Sequence, residues 1–85
     1  MRVTVRLGEP FWRQVSAREL TLELPAGATV GLLLDELARS YPALKQALQD
    51  EDLPTAVFLG DQLAGPESPL SEGAHPTLLW AMAGG

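Results

Sequence analysis

Along residues 2 to 7, Val3, Val5 and Leu7 alternate with Arg2, Thr4 and Arg6, and along residues 19 to 24 Leu20, Leu22 and Leu24 alternate with Glu19, Thr21 and Glu23. A period of two predicts a half-buried strand in each segment, one face apolar and the other wet. If the two pair antiparallel with residue numbers summing to 25, Arg6 stands opposite Glu19, Thr4 opposite Thr21 and Arg2 opposite Glu23, while Val5 meets Leu20 and Val3 meets Leu22. Opposite charges and matched hydroxyls across a ladder stabilise that register, so an N-terminal hairpin is expected. Its connection, Gly8 to Arg18, is long for a hairpin loop and carries Phe11 and Trp12. It is therefore expected to fold back on the body of the protein.

The period then changes. After the turn Pro25-Ala26-Gly27-Ala28, Thr29 is placed to cap a helix in which Val30, Leu33, Leu34, Leu37, Ala38 and Tyr41 follow the i, i+3, i+4, i+7, i+8, i+11 spacing. Pro42 ends it and opens a second short helix over residues 42 to 49, with Leu44 and Leu48 inward. Asp50-Glu51-Asp52 reads as a solvated connection, since a hard-metal site needs several converging oxygen ligands. Residues 55 to 59 form a strand, Gly60-Asp61 a turn and residues 62 to 64 a short return strand. Leu70 pins the following loop, and Thr77 to Met82 is the last strand. This order predicts an α+β domain with a mixed sheet of four to five strands and one main helix packed on one face. With the first and last strands parallel at the centre, the helix provides a right-handed crossover, which is the β-grasp (ubiquitin-like) arrangement. Residues 1–82 are expected to form one domain and residues 83–85 a flexible tail.

Composition narrows this picture without changing it. The chain has 85 residues, too few to divide between two cores, and its 46% hydrophobic content favours a packed globule. It has no cysteine, hence no disulfide, thiolate metal ligand or thiol nucleophile, and any sulfur it handles must be brought to it. No metal site is expected. The opening residues lack the apolar run of a signal peptide and no segment approaches a membrane span, which predicts a cytoplasmic protein without membrane contact. The formal charge of −5 disfavours a phosphate backbone as ligand, so nucleic acid is not expected as a partner. Such a charge suits encounter with a basic protein, and equally serves solubility alone.

Candidates for chemistry are few. His75 is the single histidine, and the nearest hydroxyls, Ser71 and Thr77, come without a third orienting group, so a turn residue is the simpler reading. Neither GxGxxG nor GxxxxGK[ST] occurs. An enzyme in its own right is not expected. The last strand says more: Leu78, Trp80 and Met82 fall on one face and Leu79 and Ala81 on the other, so both faces are apolar although one helix covers one side of a sheet. Phe58, between Val57 and Leu59, shows the same two-sidedness. Either the loop at 8 to 18 lays Phe11 and Trp12 over the second face, or part of that face is a partner surface with Phe58, Leu78, Trp80 and Met82 as contacts. The chain then closes on Ala83-Gly84-Gly85. At an average glycine frequency of about 7%, two terminal glycines arise by chance in roughly one chain in two hundred. A tail without side chains can thread a narrow channel, and no β-carbon hinders attack on an activated carboxyl group.

In the order of these pieces the sequence resembles the sulfur-carrier branch of the ubiquitin-like proteins, which includes the molybdopterin synthase small subunit and the thiamine sulfur carrier. The similarity runs through the Arg2 to Leu7 strand, Phe11-Trp12-Arg13, Leu24 to Val30, the helix to Tyr41-Pro42, the Val57 to Asp61 strand and turn, Pro69-Leu70, Gly73 and Gly84-Gly85. The long first loop and the Tyr41-Pro42 helix end are closest to the molybdopterin synthase small subunit. The resemblance implies a reacting carboxylate on Gly85, with Gly84 as spacer. A ubiquitin-activating-type adenylating enzyme would use ATP and Mg to activate it, a persulfide sulfur donor would convert it to a thiocarboxylate, and the molybdopterin synthase large subunit would accept the tail. No cofactor bound by the chain itself is implied. Two segments depart from the family: Ala74-His75-Pro76 replaces an acidic residue before the last strand, and Ala81-Met82-Ala83 replaces a proline-containing segment. Sulfur delivery to thiamine or tRNA, conjugation as a protein modifier, and a non-covalent β-grasp interaction module stay open beside the molybdopterin reading.

Overall fold

A computed structural model of the chain describes residues 1–9, 11–49 and 55–80, the side chain of Trp80 excepted. The alternating segments at the N-terminus form strands β1 (Arg2–Leu7) and β2 (Glu19–Glu23), paired antiparallel in the expected register from Arg2 opposite Glu23 to Arg6 opposite Glu19. Arg2 Nε donates to Glu23 Oε1 at 3.2 Å, and the Thr4 and Thr21 hydroxyls lie 3.2 Å apart. The apolar alternates Val3, Val5, Leu20 and Leu22 are buried beneath the ladder. The connection is not a plain loop: Phe11–Val15 form the short helix α1, which carries Phe11 into the core at 0% exposure and leaves Trp12 partly buried against it.

Helix α2 (Val30–Ser40) starts where the cap residue stands. Its first amides have no carbonyl a turn earlier, and each finds a substitute. Leu32 N donates to Thr29 Oγ1 at 3.3 Å, Val30 N to Ser68 O at 3.0 Å and Gly31 N to Pro66 O at 2.8 Å. That last approach explains the glycine, because a Cβ on Gly31 would stand 3.1 Å from the Pro66 carbonyl oxygen. The loop that provides these acceptors is held in turn by Leu70, whose side chain is buried and whose amide donates to Ala28 O at 2.9 Å. Tyr41 leaves helical geometry (φ −128°, ψ 82°) ahead of Pro42, as a residue before proline must. Helix α3 (Pro42–Gln49) follows, burying Leu44 and Ala47, with Leu48 only partly covered.

Strands β3 (Thr55–Leu59) and β4 (Gln62–Ala64) form a hairpin about Gly60, whose positive φ of 67° suits a residue without a side chain. Strand β5 (Thr77–Trp80) completes a sheet ordered β2-β1-β5-β3-β4. β5 lies parallel to β1 (Arg6 beside Thr77, Leu7 beside Leu78) and antiparallel to β3. The last strand by sequence is therefore the central strand in space, which is the β-grasp topology expected from the order of elements. Residues 81 and 82, assigned to this strand from the sequence, lie outside the described residues, as does the Asp50-Glu51-Asp52 connection.

Candidate functional site

The sheet has one covered face and one open face, and registers assign each side chain to one of them. Val57 and Leu78 are cross-strand partners, 3% and 0% exposed, and belong to the same core cluster as Leu33, Leu37 and Phe11. Their neighbours of opposite parity face away. Ala56 stands opposite Leu79 and Phe58 opposite both Thr77 and Leu63, which gives Ala56, Phe58, Leu63 and Leu79 the outward parity, although Ala56 itself is buried at 9% exposure. Leu63 is 69% exposed and Leu79 38%, the two large apolar residues most open to solvent among the described residues, and Phe58 is half-buried. On the other half of this face β1 and β2 present the Arg2–Glu23, Thr4–Thr21 and Arg6–Glu19 pairs.

The position of Leu78 corrects one expected partner contact. It is wholly enclosed and cannot meet a partner, because β5 turns that parity toward the helices. Leu79 takes its place on the open face, and Leu63, which the sequence reading passed over as part of a short return strand, joins it. Phe58, the other expected contact among the described side chains, lies on the open face. Trp80 pairs with Thr55 at the end of β5, and Met82, Gly84 and Gly85 lie outside the described residues. Phe11 does not lie over the second face. The backbone at Gly8 comes close to it, where a Cβ would collide with Leu79 Cδ2.

β5 runs parallel to β1, so the chain heads for the sheet end at which β1 finishes, and Gly8 N donates to Leu78 O at 2.8 Å there. Glu9 and Arg13 form an ion pair of 2.9 Å beside it, and the guanidinium holds the Glu9 carboxyl below its ordinary value near 4.5. At the opposite end an open groove of about 560 Å³ is lined by Met1, Arg2, Thr4, Glu23, Glu72 and His75. His75 is exposed and projects beside Arg6, Glu19 and Thr77. Among the described residues no group of three or more histidine, aspartate or glutamate side chains is arranged to hold a metal ion. Among them, too, no helix is long and apolar enough to cross a membrane.

Fold and open face together define a ubiquitin-like β-grasp protein. No family model and no curated protein matches the chain. Solved structures do: SAMP1 from Haloferax volcanii has a TM-score of 0.85 at 21% identity, with 100% of both chains covered. The complex of subunits 1 and 2 of the molybdopterin-converting factor from Helicobacter pylori matches with TM-score 0.67 and 23% identity, again over 100% of both chains. The BexX/CysO complex of Amycolatopsis orientalis matches with TM-score 0.68 and 27% identity, covering 98% of this chain and 99% of that one. The similarity drawn from the sequence thus holds at the level of the fold.

Proposed function

We propose that this chain is a ubiquitin-like sulfur carrier whose Gly85 carboxylate is adenylated and then converted to a thiocarboxylate. The observation that carries the reading is the position of β5: this central strand reaches Trp80 at the sheet end where β1 finishes, and Phe58, Leu63 and Leu79 give the sheet's outer face an apolar patch, with Leu63 and Leu79 exposed. In the first step the carboxylate attacks the α-phosphorus of ATP, with Mg on the partner enzyme, and pyrophosphate leaves. A persulfide sulfur then attacks the acyl carbon and displaces AMP, and a thiol cleaves the resulting acyl disulfide to free the thiocarboxylate. Gly85 provides the reacting atoms and Gly84 lets the tail pass through the partner's channel.

The acceptor we propose is the molybdopterin synthase large subunit, in support of which a structural neighbour is a complex of the two converting-factor subunits. A modifier role is the second reading, favoured by the likeness to small archaeal modifier protein 1 and by Lys45, the one lysine and an exposed one, as a linkage point between copies. Intact-mass measurement of the protein from its native host tests the chemistry. One oxygen replaced by sulfur on the Gly85 peptide is the expected result. An unmodified carboxylate after incubation with the host's adenylating enzyme, ATP and a persulfide donor, together with full cellular activity after deletion of Gly85, overturns it. An isopeptide between Gly85 and a lysine identifies the modifier.

A further inference from the structure

The chain as a whole is acidic, but its charge is unevenly placed. Arg6, Arg13 and Arg18, half of the six cations, gather at the sheet end where β1 finishes, with Glu9 and Glu19 beside them among the described residues. The gathering is built by the fold. Leu7 N donates to Arg18 O at 2.8 Å, which brings residue 18 beside the last residue of β1, and Arg6, Leu7, Arg18 and Glu19 line one concavity of about 410 Å³. Trp12, held by α1, sits between: the Arg18 guanidinium carbon lies 4.2 Å and that of Arg13 4.9 Å from the centre of its ring. Stacking on an indole orients a guanidinium while leaving its N–H groups free for an acceptor.

Arg13 already has the Glu9 carboxylate. Arg6 and Arg18 form no ion pair within 4 Å among the described residues, although Glu19 faces Arg6 across the ladder and the other arginines, Arg2 and Arg39, are both paired. Two exposed guanidinium groups that form no ion pair among the described residues thus stand at the sheet end where β1 finishes, in a protein of net charge −5.

Resting on the sulfur-carrier reading above, we infer that Arg6 and Arg18, with Trp12 as the platform for Arg18, form a docking point for an acidic surface on the adenylating enzyme that receives the tail. The apolar patch of Phe58, Leu63 and Leu79 flanks β5 on one side and this cationic point flanks β1 on the other, so a partner taking the tail spans both. Carboxylates facing Arg6 and Arg18 steer the encounter and fix the orientation of the domain on its partner.

The test measures binding and adenylation of the full chain by the host's adenylating enzyme as salt is varied, for wild type, R6E, R18E, the neutral pair R6Q and R18Q, and R39E as a control of equal charge change on α2. Folding of each variant is checked by circular dichroism. At about 0.1 M salt R6E and R18E are expected to weaken binding about tenfold or more, mostly through a slower association rate, with R6Q and R18Q weakened less and R39E near wild type. The gap narrows toward about 1 M salt, where the screening length falls from about 10 Å to about 3 Å. Wild-type affinity in folded R6E and R18E, while the wild type is adenylated, overturns this inference and leaves the carrier reading standing. A wild type that is neither bound nor adenylated overturns both.

Discussion

Leu78 and Leu79 are adjacent, chemically identical and opposite in placement, so truncating each in turn tests the assignment of inner and outer faces. Leu78 is 0% exposed, and its partners on the flanking strands, Leu7 and Val57, are each 3% exposed. With a strand on both sides and helices above, the site has little freedom to collapse, and L78A should cost about 3–4 kcal/mol, near the middle of the range for buried Leu→Ala. Stability of about 0.05–0.15 kcal/mol per residue puts a domain of this size at roughly 4–13 kcal/mol, so the loss is a large fraction of the whole. At about 4–8 °C per kcal/mol, it lowers Tm by roughly 12–30 °C. Leu79 is 38% exposed, and L79A removes apolar area already partly in water, so a loss of about 1 kcal/mol or less is expected. Urea unfolding followed by tryptophan fluorescence, alongside thermal unfolding, measures both. The partner assay should show the reverse order: folded L79A loses affinity for the adenylating enzyme, and L78A, assayed below its transition, keeps most of it. If L79A destabilises as much as L78A, or leaves binding untouched while L78A abolishes it, the two faces of β5 have been assigned the wrong way round.

Two further outcomes probe local structure. T29A removes the acceptor of the Leu32 amide and should destabilise by about 1 kcal/mol, whereas T29D, which keeps an acceptor, should stay near wild type in the same thermal scan. For acid, the Arg13 hydrogen bond lowers the Glu9 pKa below 4.5, so the contribution of this pair is present above pH 4.5 and is lost as pH falls through the lowered folded value. Tm of the wild type should therefore fall more steeply than that of E9Q below pH 4.5, and parallel curves would remove Glu9 from the account.

The capped helix, the Tyr41-Pro42 break and the β3–β4 turn are local and were legible because helical period and proline geometry act over a few residues, while the hairpin register was legible from the match of charges and hydroxyls between its two strands. The short helix α1 was not. Five residues offer too little periodicity to separate a helix from a loop, and it is burial of Phe11 against α3 and β5 that holds them. Sequence alone also brought out the two apolar faces of the last strand and the glycine pair beyond it. Which face is covered was decided by tertiary structure. A strand apolar on both sides carries no mark of its inner side, and the choice follows only when Leu7 and Val57 take Leu78 as their neighbour. The same holds for the cationic end, where Arg6 and Arg18, twelve positions apart in the chain, line one concavity because β1 and β2 fold back on each other, and α1 sets Trp12 against Arg13 and Arg18.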